Sequence, residues 1–224
     1  MLEKVLFNLL WIIVAYLIGS INFSIIFTKN NKNKKNIKEV GSGNAGATNA
    51  ARVYGFKFGL CIFILDASKS FWLGFILGLL QRNVEAFNVI IPQLCLIFVI
   101  IGHIFPLYFN FKGGKGASCL LGMIASISLF IAAIGTIIFL IIVLWTRYVS
   151  LGSIIIVTIF AVEYGILAFN GRYSFDLDMK SSWNAMIESV IVIGIMALMA
   201  IYRHRANIVR LIHHEENKLG SKSN

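Results

Sequence analysis

The chain has 224 residues, of which 58% are hydrophobic and only 13% charged, and its mean hydropathy is +0.82. Soluble domains carry about 25% charged residues, so this composition excludes an ordinary soluble enzyme, a coiled coil and a disordered chain. The net charge of +10 comes from lysines and arginines that lie between apolar runs, which is typical of a membrane protein and not of a nucleic-acid-binding face.

Six apolar runs follow one another along the chain. A membrane helix needs about 20 mostly apolar residues. The fourth run would form a helix of about 43 Å, whereas the hydrocarbon core of a bilayer is about 30 Å thick. We therefore expect this run to divide near Ser126–Ser128 into two short spans. The runs are Val5–Phe27, Phe58–Leu80, Val89–Phe105, Ala117–Trp145, Leu151–Phe169 and Trp183–Tyr202.

The basic residues indicate how these runs cross the membrane, because cytoplasmic loops collect Lys and Arg. With seven spans, 15 basic residues fall on one side and 4 on the other, with Lys69 inside a span. A single span over residues 117–145 would instead leave the basic tail after Arg203 outside. We predict an all-α integral membrane protein of seven transmembrane helices, with the N-terminus outside and the C-terminus cytoplasmic. Residues 1–224 form one membrane-embedded domain in this prediction.

The first polar segment, Gly41–Arg52, contains three glycines within twelve residues. Small residues let backbone N–H groups approach an anion closely. The Arg52 guanidinium can bind a phosphate through two parallel hydrogen bonds. This segment predicts a phosphate-binding loop, and a flexible glycine-rich connector is the alternative.

The second polar segment runs from Gly102 to Gly116 and ends in Lys-Gly-Gly-Lys-Gly. Such a loop before a helix N-terminus is a candidate phosphate cradle. It is not a Walker A loop, because residue 109 is Phe and no Ser or Thr follows Lys115. The alternative is a basic turn without a ligand. We expect His103 to be a hydrogen-bonded structural residue and not a general base.

The third polar segment begins at His204 and continues to Glu216. His204 and Asn207 share one helix face, because they are three residues apart. An interfacial basic helix on anionic lipid is the alternative to a ligand site. Inside the second span, Asp66 and Lys69 are spaced for an ion pair, which either serves function or fastens a helix.

The cysteines and histidines give no sign of a metal centre. The three cysteines lie far apart in apolar runs, without a Cys-x-x-Cys pair or Cys/His ligand spacing. We therefore expect neither a disulfide framework nor a metal site, and no cofactor.

Together, the three polar segments resemble the signature motifs of the bacterial acyl-phosphate:glycerol-3-phosphate acyltransferases, the PlsY family. The pattern SGNxGATNxxR matches residues 42–52, and GHxxPxxxxFKGGKG matches residues 102–116, at every fixed position. The pattern HRxNIxRLxxGxE matches residues 204–216 except that His214 replaces Gly. A second departure is Asn22, where the family has Pro after Gly-Ser-Ile.

This resemblance implies a seven-span enzyme of the bacterial inner membrane whose active site faces the cytoplasm. It implies transfer of a fatty acyl group from acyl phosphate to the first hydroxyl of glycerol 3-phosphate, giving lysophosphatidic acid and phosphate. The implied partners are these two substrates and membrane lipid, without nucleic acid or metal. No protein nucleophile or base is implied, because a substrate phosphate assists. The alternative is a membrane transporter for a phosphorylated solute or lipid.

The resemblance also assigns the site residues in three groups. The implied glycerol 3-phosphate contacts are Ser42, Arg52, Lys115, Ser150, His204 and Asn207. The implied acyl phosphate contacts are Gly46, Thr48, Lys112, Gly113 and Gly114. The other motif residues are Asn44, Asn49, His103, Arg210 and Glu216.

Overall fold

The computed structural model describes residues 2–29, 34–169 and 183–220, and the regular secondary structure in this part of the chain is entirely helical. Ten α-helices, with three single-turn 3-10 helices in the loops, make up the described part. They are α1 (Leu2–Ser20), α2 (Phe23–Lys29), α3 (Ala47–Tyr54), α4 (Phe56–Asn83), α5 (Pro92–Ile104), α6 (Ala117–Ile127), α7 (Leu129–Thr146), α8 (Val149–Phe169), α9 (Trp183–Arg203) and α10 (Arg205–Ile212).

The described helices include four that are long and apolar enough to cross a membrane, namely α4, α5 with its extension to Phe109, α7 and α8. The number rises to six if each bent pair forms one crossing, with bends of 41° between α1 and α2 and 56° between α9 and α10. Helix α6 is a shorter apolar helix. These helices confirm an all-α membrane architecture. Four residues counted in the charge argument, Lys32, Arg172, Lys180 and Lys222, lie outside the described residues.

The fourth apolar run is divided where the sequence predicts. Helix α6 ends at Ile127 and α7 begins at Leu129. Between them, Ser128 has an extended backbone, and its hydroxyl accepts a hydrogen bond from the Ile131 N–H at 3.3 Å. Serine is a favoured residue at this capping position. The division of residues 117–145 into two helices is therefore confirmed.

The first apolar run is bent, although the sequence predicts a single helix there. Asn22 caps α2, because its side-chain oxygen accepts a hydrogen bond from the Ile25 N–H at 3.1 Å. Lys69 donates to the carbonyls of Gly19 and Ile21 at the end of α1, at 3.3 and 2.7 Å. The helix can stop here because both freed ends have hydrogen-bonding partners.

The helices pack in pairs that bring the polar segments to the loops at the helix ends. Helix α1 packs against α5, α4 against α3 and α6, and α8 against α7 and α9. The α1–α5 crossing is close at Gly19, where an added Cβ would lie 2.1 Å from the Val99 carbonyl oxygen. Buried side chains such as Leu96 and Met123 fill the core, and Trp145 is 87% exposed on the apolar outer surface.

Candidate anion-binding site

The first polar segment is folded around the side chain of Asn49. This buried amide accepts a hydrogen bond from the Ser42 N–H at 2.9 Å. It donates to the carbonyls of Ile37 and Val40, at 3.2 and 3.0 Å. Asn49 therefore holds the loop in place with both ends of its amide. Ser42 is an exposed residue of this loop.

Two helices begin in the polar segments with glycine at the capping position. Gly46 precedes α3 and Gly116 precedes α6, and within the described chain neither helix start has a side-chain cap. The first N–H groups of a helix have no intrahelical acceptor, and the helix dipole favours an anion there. Thr48 lies half-buried in the first turn of α3, and the Asn44 amide lies against Gly46. Both helix starts can therefore receive a phosphate group.

The loop of the second segment lies against the end of α5. The N–H groups of Gly113 and Gly114 donate to the carbonyls of Ile104 and His103, each at 3.1 Å. The Arg203 guanidinium donates to the Gly114 carbonyl at 3.2 Å. An added Cβ on Gly114 would lie 2.2 Å from Nε2 of His103, so only glycine fits over this ring. Backbone contacts on both sides therefore fix the loop.

A chain of side-chain hydrogen bonds joins the second segment to the third. The Lys115 ammonium donates to the side-chain oxygen of Asn207. The Asn207 amide donates to Oε1 of Glu216 at 2.8 Å, and the Arg210 guanidinium donates to Oε2 at 2.9 Å. Asn207 and Glu216 are buried. One carboxylate therefore anchors both Arg210 and the residue that Lys115 contacts.

Arg52 brings the first segment into the same electrostatic cluster. Burial lowers the pKa of Arg52, the Glu216 charge raises it and the Arg210 charge lowers it. Burial also lowers the pKa of Lys115 to about 8, which Glu216 opposes and three nearby arginines, including Arg203, reinforce. Arg52, Lys115 and Arg210 thus share the charge of one carboxylate, and Arg203 adds a further positive charge next to Lys115. This excess of positive charge suits a phosphate dianion.

Two more predicted residues are buried, His204 beside this cluster and Ser150 on a helix that packs against α10. His204 is buried one helical turn before Asn207, and its Nδ1 donates to the Ala200 carbonyl at 2.9 Å, leaving Nε2 as the nitrogen that can face a ligand. Ser150 is buried in the first turn of α8, and its hydroxyl has no hydrogen-bonding partner among the described residues. Helix α10 packs against α8, so Ser150 lies on the element next to the third segment.

Lys112 lies apart from the buried cluster. Its side chain is exposed, and its charge lowers the pKa of Lys38, after the larger effect of burial on that lysine. Lys38 donates to the Phe109 carbonyl at 3.2 Å. Lys112 is therefore placed at the rim of the second segment, where a contact to acyl phosphate stays a prediction.

The structure also assigns residues that sequence reasoning missed or left open. Arg203 donates a hydrogen bond to the Gly114 carbonyl. In the sequence, only its position next to His204 points to a role for this arginine. The predicted ion pair of Asp66 and Lys69 is confirmed at 3.1 Å and is buried. His103 joins this pair, which agrees with its predicted structural role.

Comparisons with known proteins identify relatives over almost the whole chain. The profile of the family described as glycerol-3-phosphate acyltransferase matches residues 9–214. The glycerol-3-phosphate acyltransferase of Mycoplasma mobile is 47% identical over 95% of this chain and 92% of its own length. That of Mycoplasmopsis agalactiae is 36% identical over 99% of this chain and 98% of its own length.

Solved structures resemble the fold as well. A crystal structure of PlsY (YgiH), an integral membrane glycerol 3-phosphate acyltransferase, in its glycerol 3-phosphate form has a TM-score of 0.74 and 31% identity. The alignment covers 95% of this chain and 96% of that chain. The lysophosphatidic acid form of the same enzyme has a TM-score of 0.73, 31% identity and 95% coverage of both chains.

Proposed function

The chain belongs to the glycerol-3-phosphate acyltransferase family, and from this premise we propose that it transfers a fatty acyl group from acyl phosphate to the first hydroxyl of glycerol 3-phosphate. The products of this reaction are lysophosphatidic acid and inorganic phosphate. Support for the acceptor comes from PlsY, whose crystal structures include a glycerol 3-phosphate form and a lysophosphatidic acid form.

The observation that carries the proposal is the excess of positive charge where the three polar segments meet. The Lys115 ammonium and the Arg52 guanidinium share a half-buried cluster with a single carboxylate, Glu216. Glycerol 3-phosphate carries close to two negative charges at neutral pH, because the second pKa of a phosphate monoester is about 6. Such a ligand is attracted strongly where burial reduces solvent screening.

The two phosphate groups fit two parts of the site. In this proposal glycerol 3-phosphate contacts the cationic cluster and its polar neighbours, and the phosphate of the donor lies at the start of α3. The residues proposed for glycerol 3-phosphate are Ser42, Arg52, Lys115, Ser150, His204 and Asn207. Those proposed for acyl phosphate are Gly46, Thr48, Lys112, Gly113 and Gly114.

The reaction needs a nucleophilic oxygen, a carbonyl carbon and a leaving group, and the substrates supply all three. The first hydroxyl oxygen of glycerol 3-phosphate attacks the acyl carbonyl carbon and forms the new ester bond. The bond from this carbon to the phosphate oxygen breaks, and a substrate phosphate accepts the hydroxyl proton. In this account the side chains bind and orient the two substrates, and neither His103 nor His204 acts as a base.

We further propose seven membrane crossings, with the N-terminus outside and the site facing the cytoplasm of a bacterial cell. Four candidate spans, two bent pairs and the short α6 together supply seven apolar segments. The basic residues are distributed 15 to 4 between the two sides of this topology. Since the polar segments lie on the basic side, the soluble substrate enters from the cytoplasm.

Acyl transfer by the purified protein tests the proposed function. Detergent-solubilised protein without any gradient is given acyl phosphate and glycerol 3-phosphate, and lysophosphatidic acid is measured by mass spectrometry. We expect product in proportion to protein and time, and loss of product when Arg52 is replaced by Ala. A transporter of phosphorylated solutes or lipids would form no ester in this assay, and that result would refute the enzyme.

A further inference from the structure

A buried ion pair inside a membrane helix requires an explanation. Asp66 and Lys69 lie within α4, with 0% and 7% of their surfaces exposed, and their charged atoms are 3.1 Å apart. Charged groups at membrane depth are costly and are usually retained for function. Removing water from both groups offsets much of their attraction, so stability alone is a weak reason to keep them.

Lys69 contacts residues of both α1 and α5. Its ammonium donates to the carbonyls of Gly19 and Ile21, at 3.3 and 2.7 Å, and lies 3.1 Å from Oδ1 of Asp66. Nδ1 of His103 lies 3.3 Å away as well, so four polar atoms surround the three N–H donors of this ammonium. Lys69 therefore ties α4 to the bend between α1 and α2.

His103 completes the group from α5. Its Nδ1 lies 3.3 Å from the Lys69 ammonium and 3.6 Å from Oδ1 of Asp66. Both distances place this ring nitrogen beside the ion pair. The ring is 2% exposed, so its orientation is fixed by these two neighbours.

The opposite edge of the His103 ring supports the phosphate loop. Nε2 faces Gly114 so closely that no side chain fits there, and the His103 carbonyl accepts the Gly114 N–H at 3.1 Å. The next residue is Lys115, which reaches Asn207. A continuous line of contacts thus runs from Asp66 through the His103 ring to Lys115.

The same group reaches the other candidate phosphate position. Lys69 holds the carbonyl of Ile21, and the neighbouring Asn22 donates to the Ala45 carbonyl at 3.2 Å. Ala45 is buried immediately before Gly46, where α3 begins. The bend between α1 and α2 is therefore connected to the start of α3 and, through Lys69 and His103, to the loop that carries Lys115.

We propose that Asp66, Lys69 and His103 form a positioning network that sets the place of Lys115 and thereby the affinity of the enzyme for glycerol 3-phosphate. The three residues touch no substrate and act through the loop that carries Lys115. The proposal rests on the proposed function for its substrate, and its structural part concerns the place of the Lys115 side chain alone.

Two variants test the network. One keeps the shape of the His103 ring, and the other keeps the net charge of the Asp66–Lys69 pair. His103→Phe keeps a ring under Gly114 and removes both nitrogens. Asp66→Asn combined with Lys69→Met removes both charges of the ion pair, so that neither charge is left buried without its partner. Ser70→Ala is the matched control, because Ser70 is equally buried on α4 one turn after Asp66 and lies outside the network.

Two readouts separate positioning from simple folding. The first is KM for glycerol 3-phosphate, which we expect to rise on the order of 100-fold in both network variants, the effect of about 1 Å of misplacement. The second is acetylation of lysines by acetic anhydride, read by mass spectrometry, with exposed Lys57 as the internal reference. We expect Lys115 to be labelled several times faster in both variants and unchanged in Ser70→Ala.

The outcomes distinguish the two proposals. Unchanged KM and unchanged Lys115 labelling in folded variants would overturn the network and leave the enzyme standing. Wild-type protein that forms no lysophosphatidic acid would overturn the proposed function, and the labelling would still decide the network. If both variants fail to fold while Ser70→Ala folds, the network is a folding element and the positioning role is wrong.

Discussion

At the scale of single residues, the proposed site contains two cations with different geometry. The Arg52 guanidinium is a planar fork that can bind a phosphate through two hydrogen bonds, whereas the Lys115 ammonium is a point charge on a flexible chain. Both belong to the cluster around Glu216. The two residues are therefore not interchangeable, even though each carries one positive charge.

Substitution of these cations gives the first prediction. Arg52→Lys should weaken the use of glycerol 3-phosphate by about 1.5–3 kcal/mol in the apparent barrier, the range for a hydrogen bond to a charged group. Arg52→Ala and Lys115→Ala should nearly abolish turnover in folded, membrane-inserted protein. Steady-state kinetics at matched protein levels measures all three variants. Near-normal activity of both alanine variants would mean that these residues only orient the chain in the membrane.

The pKa of Lys115 gives a second prediction at this scale. Burial lowers it to about 8, so the ammonium is lost as the pH rises through this value. Since the substrate phosphate is a dianion above about pH 6, kcat/KM for glycerol 3-phosphate should rise through pH 6 and fall above pH 8.

Folding stability should not decline over the same range. The pKa of Lys115 is lower in the folded than in the unfolded protein, so the unfolded chain binds more protons between these two pKa values and folding stability rises with pH.

The substitution Lys115→Arg tests the assignment of the alkaline fall in kcat/KM. It should move this fall beyond the measurable range, because a guanidinium stays protonated. An unchanged alkaline fall in Lys115→Arg would assign it to another group.

At the scale of elements, α10 and the tail after it form one unit. Glu216 returns to α10 and bonds Asn207 and Arg210, and the Leu219 N–H donates to the Arg147 carbonyl at 2.7 Å. The turn that makes this return possible passes through His214, whose φ is 59°. This is the position at which the family pattern has glycine.

His214 therefore gives a prediction for the tail. A left-handed conformation costs about 1–2 kcal/mol for a residue with a side chain, and replacement of His214 by glycine would remove this cost. The greater chain entropy of glycine in the unfolded state offsets about 0.5–1 kcal/mol of the stability gained. We expect His214→Gly to slow amide hydrogen exchange at residues 215–219 slightly, and β-branched His214→Val to accelerate it. Equal exchange in both variants would mean that the turn does not limit docking of the tail.

Of the two interruptions in the apolar helices, the break at Ser128 and the bend at Asn22, only the first is predictable from the sequence. The break at Ser128 is predictable, because the apolar run is too long for one crossing and a capping serine lies inside it. The bend at Asn22 is not predictable, since the first run has the length of one span. Its partners, Lys69 and the Ala45 carbonyl, are distant in the chain.

At the scale of the whole molecule, the sequence predicts the helical membrane architecture and the three segments that contribute to the candidate site. The length and composition of the apolar runs are sufficient for the first, and the polar residues that interrupt these runs are sufficient for the second. The contacts that join the segments depend on tertiary packing, which brings Arg203 to Gly114 and His103 to Asp66. Local patterns carry no information about such pairs, so the contact of Arg203 with Gly114 is not predictable from the sequence.

The topology gives a prediction at this scale. Single cysteines placed at Gly43, Asn88 and Lys218, in a chain with its own cysteines replaced, should differ in reaction with a membrane-impermeant maleimide added to whole cells. We expect labelling only at Asn88, which lies exposed between α4 and α5. Labelling at Lys218 from outside would contradict a cytoplasmic C-terminus, and permeabilised cells provide the control for reactivity.

The identity of the acyl donor is the most direct test of the account. Purified protein is given glycerol 3-phosphate with acyl phosphate, acyl-CoA or acyl carrier protein of one chain length, and ester and released phosphate are quantified together. We predict lysophosphatidic acid and inorganic phosphate in one-to-one ratio from acyl phosphate, and far slower ester formation from the two thioesters. Comparable rates with acyl-CoA as the sole donor would contradict the account.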